Sequence, residues 1–228
     1  MISLQLSFAE AKMNIPWLDW LPLLGEGTLI TIKVALLSIA VALCLSAIAG
    51  LGSTSSITIV RFASRTYIEL FRACSLLVLL FWVYFALPFV GVELSKLWAG
   101  VLAIGLNIGA YGAEIVRSSI LAVPKGQYEA ALALNLTSTE RTWKIIIPQA
   151  VVRMIPPMSN LLIELLKSTS LVYFITLSDL TYEAMIIRNN YYSYTPYIFG
   201  LLLGIYFVLS SSISITMRIL ERKLTAWR

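Results

Sequence analysis

The sequence contains no histidine. That removes the commonest general base, proton shuttle and transition-metal ligand from the chain. Its two cysteines, Cys44 and Cys74, both fall in or beside apolar runs, where the residue behaves as a small buried hydrophobe. Neither a disulfide nor a metal site is expected. No G-x-S-x-G nucleophile turn and no G-x-x-x-x-G-K-[ST] phosphate loop is present, so catalysis and ATP hydrolysis have no seat here. Charge is scarce too, at 13% of residues, against roughly a quarter in a soluble domain.

What the chain has instead is apolar residues, 59% of the total, gathered into long blocks. A hydrocarbon core of ~30 Å takes about 20 helical residues to cross. Five blocks of that size occur, over 28–51, 68–90, 97–121, 155–177 and 197–220. The connections between them differ in charge. Twelve of the 17 Lys and Arg residues, from Arg61 and Arg65 through Lys125 and Arg153 to Arg222 and Arg228, fall on one side. Only Lys12, Lys33, Lys96 and Arg188 fall on the other, and Lys167 lies within a span. The positive-inside rule therefore places the N-terminus outside and the C-terminus in the cytoplasm. Because the net charge of +5 is sorted in this way, it orients spans, and a nucleic-acid partner is discounted. The expected architecture is an all-α membrane protein with five transmembrane helices and a single domain over 1–228. Its first 25 residues hold no basic leader and are read as an interfacial segment with Trp17 and Trp20 at headgroup depth.

One long polar interruption stands out between the third and fourth spans, "VPKGQYEAALALNLTSTERTWKIIIPQA", residues 123–150. Pro124 and Gly126 stop the third span, and "QYEAALAL" follows as a short helix with apolar residues on nearly every face. Such a helix needs a cover. Asn135 sits where the helix would end in the left-handed conformation. Thr137 and Glu140 have the spacing of a capping box for a second helix, which carries Arg141, Trp143 and Lys144 and ends or bends at Pro148. The unit reads as a cytoplasmic helix-turn-helix over 124–150. A lone amphipathic helix on the interface is the plainer alternative.

"EAALALN" followed by "IIIPQA" resembles the EAA signature of permease subunits of ABC importers, Glu-Ala-Ala, then Gly, then Ile-x-Leu-Pro. The matching positions are Glu129, Ala130, Ala131, Asn135, Ile145, Ile147 and Pro148, with Asn in place of the Gly and Ile in place of the Leu. The resemblance extends from Leu21 onward and is strongest to permeases for polar amino acids, through "GTLITIKVALLS", "LNIGAYGAEIVRSSI" and "NLLIELLKSTSL". In the second span the family's Arg-Gly-Thr-Pro-Leu-Leu-Val-Gln is "RACSLLVL" here, which lacks the Pro at Ser75 and the Gln at Leu79. "ALN" and "ITLSDLTYEA" are similar to permeases for ectoine and hydroxyectoine.

The resemblance implies that the short helix docks into a groove on a separate ABC ATPase subunit. Gly126, Tyr128, Glu129, Ala130, Ala131, Leu132 and Asn135 would form that surface, with Arg141 and Lys144 at its rim. It also implies a second permease subunit, a copy or a homologue, and an external solute-binding protein, in a multi-pass protein of the cell membrane. No cofactor would be bound by this chain, since ATP and Mg²⁺ would be used by the ATPase.

Within the bilayer, Lys167 falls near the middle of the fourth span, where an uncompensated charge costs ~3 kcal/mol. Glu164, three residues earlier, is expected on the same side as a partner or as part of a path for a zwitterionic solute. Asn107, Ser168 and Thr169 are further candidates for that path. Gly105, Gly109 and Gly112 mark a face for close helix packing. An ion-coupled secondary transporter is the alternative class, with Glu164 and Lys167 as its coupling site. Such carriers are built from paired repeats with broken helices, and no repeat is visible in this sequence.

Overall fold

The computed structural model describes residues 17–225, all of whose regular structure is helical. Helix α1 runs over Trp17–Gly52, α2 over Thr58–Ala73, and α3 over Leu76–Phe81, continuing through a wide π turn, Trp82–Ala86, and a 3₁₀ turn, Leu87–Val90. Helix α4 is Lys96–Leu121, α5 is Lys125–Ala133, and α6 is continuous over Ser138–Ile175. Helices α7, Leu180–Asn190, and α8, Thr195–Thr225, complete the described chain.

The most apolar window of α4 is 72% buried and that of α8 only 6%. Helix α4 is thus the centre of the bundle and α8 its rim. Small residues put α4 there. A Cβ on Gly105 would lie 2.6 Å from Cγ1 of Val41, one on Gly109 3.0 Å from Cβ of Leu45, and one on Gly112 would overlap Oγ of Ser46. On the facing helix, Gly50 meets Val116 in the same way. The pairing 41 with 105 and 50 with 116 means that α1 and α4 run parallel. The hydroxyl of Ser46, 2% exposed, donates to the carbonyls of Ala42 (2.6 Å) and Gly109 (3.1 Å), a hydrogen bond across the tightest part of the seam. Helix α6 runs the other way along α4, with Leu161 at Gly112 and Val172 at Gly100.

Two parallel neighbours oblige the chain between them to return across the same thickness. Helices α2 and α3 make that return, and they do so broken, bent by 103°. The unbroken second span expected over 68–90 is therefore corrected: four helices are long and apolar enough to cross a membrane, five if the bent pair counts as one broken span. Cys74 and Ser75 are extended at the break, which strands carbonyls at the end of α2. Side chains of α4 take them up. The amide of Asn107, 5% exposed, donates to the carbonyls of Phe71 (2.8 Å) and Cys74 (3.3 Å), and the Tyr111 hydroxyl donates to that of Arg72 (3.2 Å). Arg72 lies over the Tyr111 ring, 5.4 Å from its centroid. Both cysteines are free and exposed on the outer surface of the helices, not buried as expected.

At the other end, α1 begins well before Thr28, and Trp20 is enclosed by the protein. It is 1% exposed, packed edge-on against Tyr191 and Tyr194. Helix α7 lies along the first turns of α1 and α8, with Leu180, Ala184, Ile187 and Ile198 in the same cluster. The joint between α6 and α7 is closely specified. Thr176 takes φ 55°, unusual for a β-branched residue, and Nζ of Lys96 donates to both its carbonyl (3.1 Å) and its hydroxyl (2.8 Å). Asp179, fully buried, caps α7 by accepting from the Tyr182 amide (3.0 Å), and burial pushes its carboxyl up to about 6. The Leu180 amide donates to the Thr31 hydroxyl (3.0 Å), and Gly27 leaves room for the Asp179 backbone. The rest of the expected N-terminal segment, residues 1–16, lies outside the described residues.

Replacing Asn107 by Leu removes the donor to two part-buried carbonyls at the α2 end, a cost of about 1 kcal/mol or more. The expected outcome is a lower melting temperature of the detergent-purified protein, with Asn107→Gln falling between the two. An unchanged melting temperature for Asn107→Leu would show that the break is held by something else.

Candidate functional site

The polar interruption forms a compact, braced unit. Pro124 in extended conformation starts α5, Asn135 closes it at φ 53°, and the amides of Asn135 and Leu136 donate to the carbonyls of Leu132 (2.9 Å) and Ala131 (3.1 Å). Asn tolerates this left-handed position better than most residues other than Gly. Thr137 and Glu140 then form the capping box in full, hydroxyl to amide (3.3 Å) and carboxylate to amide (3.2 Å). Lys144 pairs with Glu140 at 2.9 Å, and that ammonium, with the Thr137 hydroxyl and amide, holds the Glu140 carboxyl down to about 2. At 38 residues α6 is about 57 Å long, far more than the ~30 Å of hydrocarbon, so part of it extends beyond the hydrocarbon core.

Of the two outcomes expected at Pro148, an end or a bend, the end does not occur: α6 passes through the proline. A π turn, Arg141–Ile146, widens the helix just ahead of the proline, which has no amide hydrogen and whose ring crowds the preceding turn. The Gln149 side-chain amide donates to the Ile145 carbonyl (3.0 Å) and to Oε1 of Gln127 (3.1 Å), which ties α5 to α6. Arg153 reaches the Ala122 carbonyl at the end of α4.

Which face of α5 is free differs from the expectation. Ala131 is 2% exposed and Tyr128 half-buried, its hydroxyl against the Ile120 carbonyl (3.4 Å). Tyr128 packs on the cluster of Val116, Ile120, Val123, Ile146 and Ala150. Tyr128 and Ala131, three apart on one side of a short helix, anchor it to its own chain, and Ala131 offers no surface to a partner. The exposed side holds Gly126, Glu129, Ala130, Leu132, Leu134 and Asn135, with Leu132 56% and Leu134 72% exposed. Leu134, missed from the sequence, has the clearest signal in hindsight: a large apolar residue beside the turn with nothing to pack on. Lys144 is exposed and engaged with Glu140, and Arg141 is half-buried, near Oγ of Ser138 (3.5 Å).

In the spans, Glu164 and Lys167 are both exposed, and they make no ion pair with each other. With Asn160 they line a cleft of about 460 Å³. Lys167 also borders a second cleft of about 550 Å³ together with Ser170, Thr181, Tyr206 and Ser210. Asn160 was missed, although its spacing to Glu164 and Lys167, four and seven residues, puts all three on one helix face. Thr169 and Asn107 are placed away from these clefts. Thr169 is fully buried and bonds back to the Leu166 carbonyl (2.7 Å), and Asn107 serves the α2 break. Ser168 is half-buried and does not line either cleft. Elsewhere Glu114 and Arg117 form an ion pair at 2.6 Å. Among the described residues no group of His, Cys, Asp and Glu is arranged to hold a metal.

The profile of the family described as "Binding-protein-dependent transport system inner membrane component" matches residues 42–226. The chain belongs to that family. It is 44% identical over 225 residues to a probable amino-acid ABC transporter permease protein of Sinorhizobium fredii, covering 96% of this chain and 94% of the relative. It is 34% identical over 214 residues to an L-cystine transport system permease protein of Bacillus subtilis, covering 92% of each. The crystal structure of an amino acid ABC transporter with histidines superposes with a TM-score of 0.83 at 33% identity, over 92% of this chain and 100% of the other. The protein is accordingly a multi-pass inner-membrane permease subunit of an ABC importer, a transport component and not an enzyme, with ATP hydrolysis on a separate subunit. The family brings an ATPase and a substrate-binding protein as partners, and the ion-coupled carrier is set aside.

Two substitutions on α5 separate its faces. Ala131→Trp overpacks a filled site, at a cost of about 1–3 kcal/mol, and lowers the melting temperature of the permease alone. Ala130→Trp, on the open side, leaves it unchanged. The capping carboxylate gives a second expectation. A carboxyl held low stabilises the loop fully above its ordinary value of 4.5 and loses that contribution as pH falls toward about 2. Amide exchange over 137–141 should stay protected from pH 7 to pH 5 and speed up, relative to Glu140→Gln, only below about 4.5.

Proposed function

We propose that this permease forms half of the membrane pathway of an importer for a polar amino acid or a related small zwitterion. The observation that carries the reading is the unpaired Glu164 and Lys167 on one open face of α6, over a cleft lined by Asn160. A charge facing lipid costs ~3 kcal/mol, so this face belongs against water, solute or a second subunit. One carboxylate and one ammonium without mutual pairing offer opposite charges to an amino group and a carboxylate. A second permease subunit, a copy or a homologue, closes the path on that side. The relatives named for amino acids and for cystine support the substrate class, and ectoine and hydroxyectoine stay within it as zwitterions.

Coupling to ATP falls to the exposed face of α5. Glu129, Ala130, Leu132, Leu134 and Asn135 seat in a groove on the ATPase, and Gly126, with open space where a Cβ would be, lets the partner approach. Because α5 is fastened through Tyr128, Ala131, Gln127 and the capping box to α4 and α6, motion of the seat moves both helices. The chain itself binds no cofactor in this scheme, and ATP with Mg²⁺ acts on the ATPase. The charge sorting puts this loop and the C-terminus in the cytoplasm and the N-terminus outside. An external binding protein then meets the α7 side.

In proteoliposomes holding permease and ATPase, with the companion binding protein added, uptake should require ATP, stop with vanadate and persist with a proton uncoupler. Glu129→Lys should reduce uptake at least tenfold with the protein still in the membrane, and Lys167→Met should raise the solute concentration needed. Uptake that resists vanadate and collapses with the uncoupler would remove the ATP-driven reading. Thermal-shift screening of the binding protein against amino acids and ectoines would then identify the solute.

A further inference from the structure

Below the ends of α1 and α4 lies a groove of about 590 Å³ that solute transport leaves unused. Its floor is formed by the α1–α2 connection and the first turns of α6. Two guanidinium groups line it, Arg61 and Arg141, together with the hydroxyl residues Ser55, Ser56, Thr139 and Thr142. No acidic residue does. Neither arginine makes an ion pair among the described residues, where the pairs are Glu114 with Arg117 and Glu140 with Lys144. Arg61 is held in place by the Ser55 carbonyl (3.0 Å) and the Thr58 hydroxyl (3.4 Å), and Arg141 by Oγ of Ser138 (3.5 Å). These contacts are neutral, so both positive charges remain uncompensated. Two guanidiniums with the hydroxyls of Ser55, Ser56 and Thr139 and no carboxylate in the lining match the oxygens of a phosphate group.

The opposite wall is apolar. Leu51 at the end of α1, Ile120 and Leu121 at the end of α4, and Ile147 line it, and Leu121 is 62% exposed. Trp143, 60% exposed, borders the same groove, the residue type that favours headgroup depth. The cationic floor thus meets greasy walls beside the ends of α1 and α4. A soluble phosphate would use only the floor; a phospholipid uses both.

We propose that this groove binds the headgroup phosphate of an anionic phospholipid from the cytoplasmic leaflet, with its acyl chains along Leu121 and Ile147. The cytoplasmic placement rests on the sorting of Lys and Arg among the connections. Tyr128, which anchors α5, also lines the groove, so an occupied groove braces the coupling helix against α4 and α6. Lipid composition would then tune how firmly the ATPase stroke reaches the spans.

Binding is tested on the purified permease in a zwitterionic detergent, where sidedness and transport play no part, so a failed transport assay leaves the result intact. Dioleoylphosphatidylglycerol, dioleoylphosphatidylcholine and sn-glycerol 3-phosphate are titrated separately and followed by native mass spectrometry and melting temperature. Phosphatidylglycerol should bind and raise the melting temperature, at least tenfold tighter than either other probe. The double substitution Arg61→Gln with Arg141→Gln should weaken it tenfold or more. Arg61→Lys with Arg141→Lys, which keeps the charge, should retain most of it. Arg218→Gln, exposed at the far end of α8, should change nothing. Equal binding by the Gln pair, once its helicity and monodispersity match the parent, would overturn the proposal. Glycerol phosphate binding as tightly as the lipid would overturn the lipid source in favour of a soluble phosphate. Loss of lipid binding only when the ATPase is added would assign the groove to that protein.

Discussion

The close approach of α1 and α4 is the constraint from which the rest of the bundle follows. Gly105, Gly109 and Gly112 let two helices pack side by side in parallel, with Ser46 bonded across the seam. Without a hydrophobic driving force between helices in lipid, such backbone proximity is one of the main sources of packing energy available. Parallel neighbours require a return crossing between them, and that crossing is broken because α2 and α3 must lie against the same central helix from different directions. Polar side chains within the bundle then serve backbone groups that the helix ends leave open. Asn107 and Tyr111 take the carbonyls of the break, and Thr31 takes the amide at the start of α7.

Charged residues divide by the same logic. Those with a structural role are paired or bonded: Glu114 with Arg117, Glu140 with Lys144, Lys96 with the left-handed Thr176. Those left over stand open in places where something else must meet them. Glu164 and Lys167 do so on the face of α6, and Arg61 and Arg141 in the groove beneath α1 and α4. A membrane protein tolerates an unpaired charge within its spans only where water, solute, headgroup or a second subunit supplies the missing half.

The loop between α4 and α6 is stiffened by several weak devices acting together. A left-handed Asn135, a capping box, a π turn ahead of Pro148 and the Gln127–Gln149 contact each hold a different few residues. A lever requires that no joint along its length be soft, and these devices are spread along the whole of it.

Much of this was legible in the sequence because it is local. Hydropathy blocks, the Thr137–Glu140 spacing, the turn at Asn135 and the small-residue stripe of α4 depend on residues a few positions apart, and local geometry reads them directly. The tertiary structure alone decided what depends on distant partners. A hydropathy window sees 68–90 as one span, since it cannot know that Asn107 lies opposite Cys74 to take up a broken end. An all-round apolar α5 has no preferred side until Val123, Ile146 and Ala150 arrive to claim Tyr128 and Ala131, leaving Leu132 and Leu134 outside. Glu164 and Lys167, one turn apart, looked like a pair, and only the folded helix faces showed each turned toward a cleft. Periodicity specifies which faces a helix has, but contacts between residues far apart in the chain determine which face is covered.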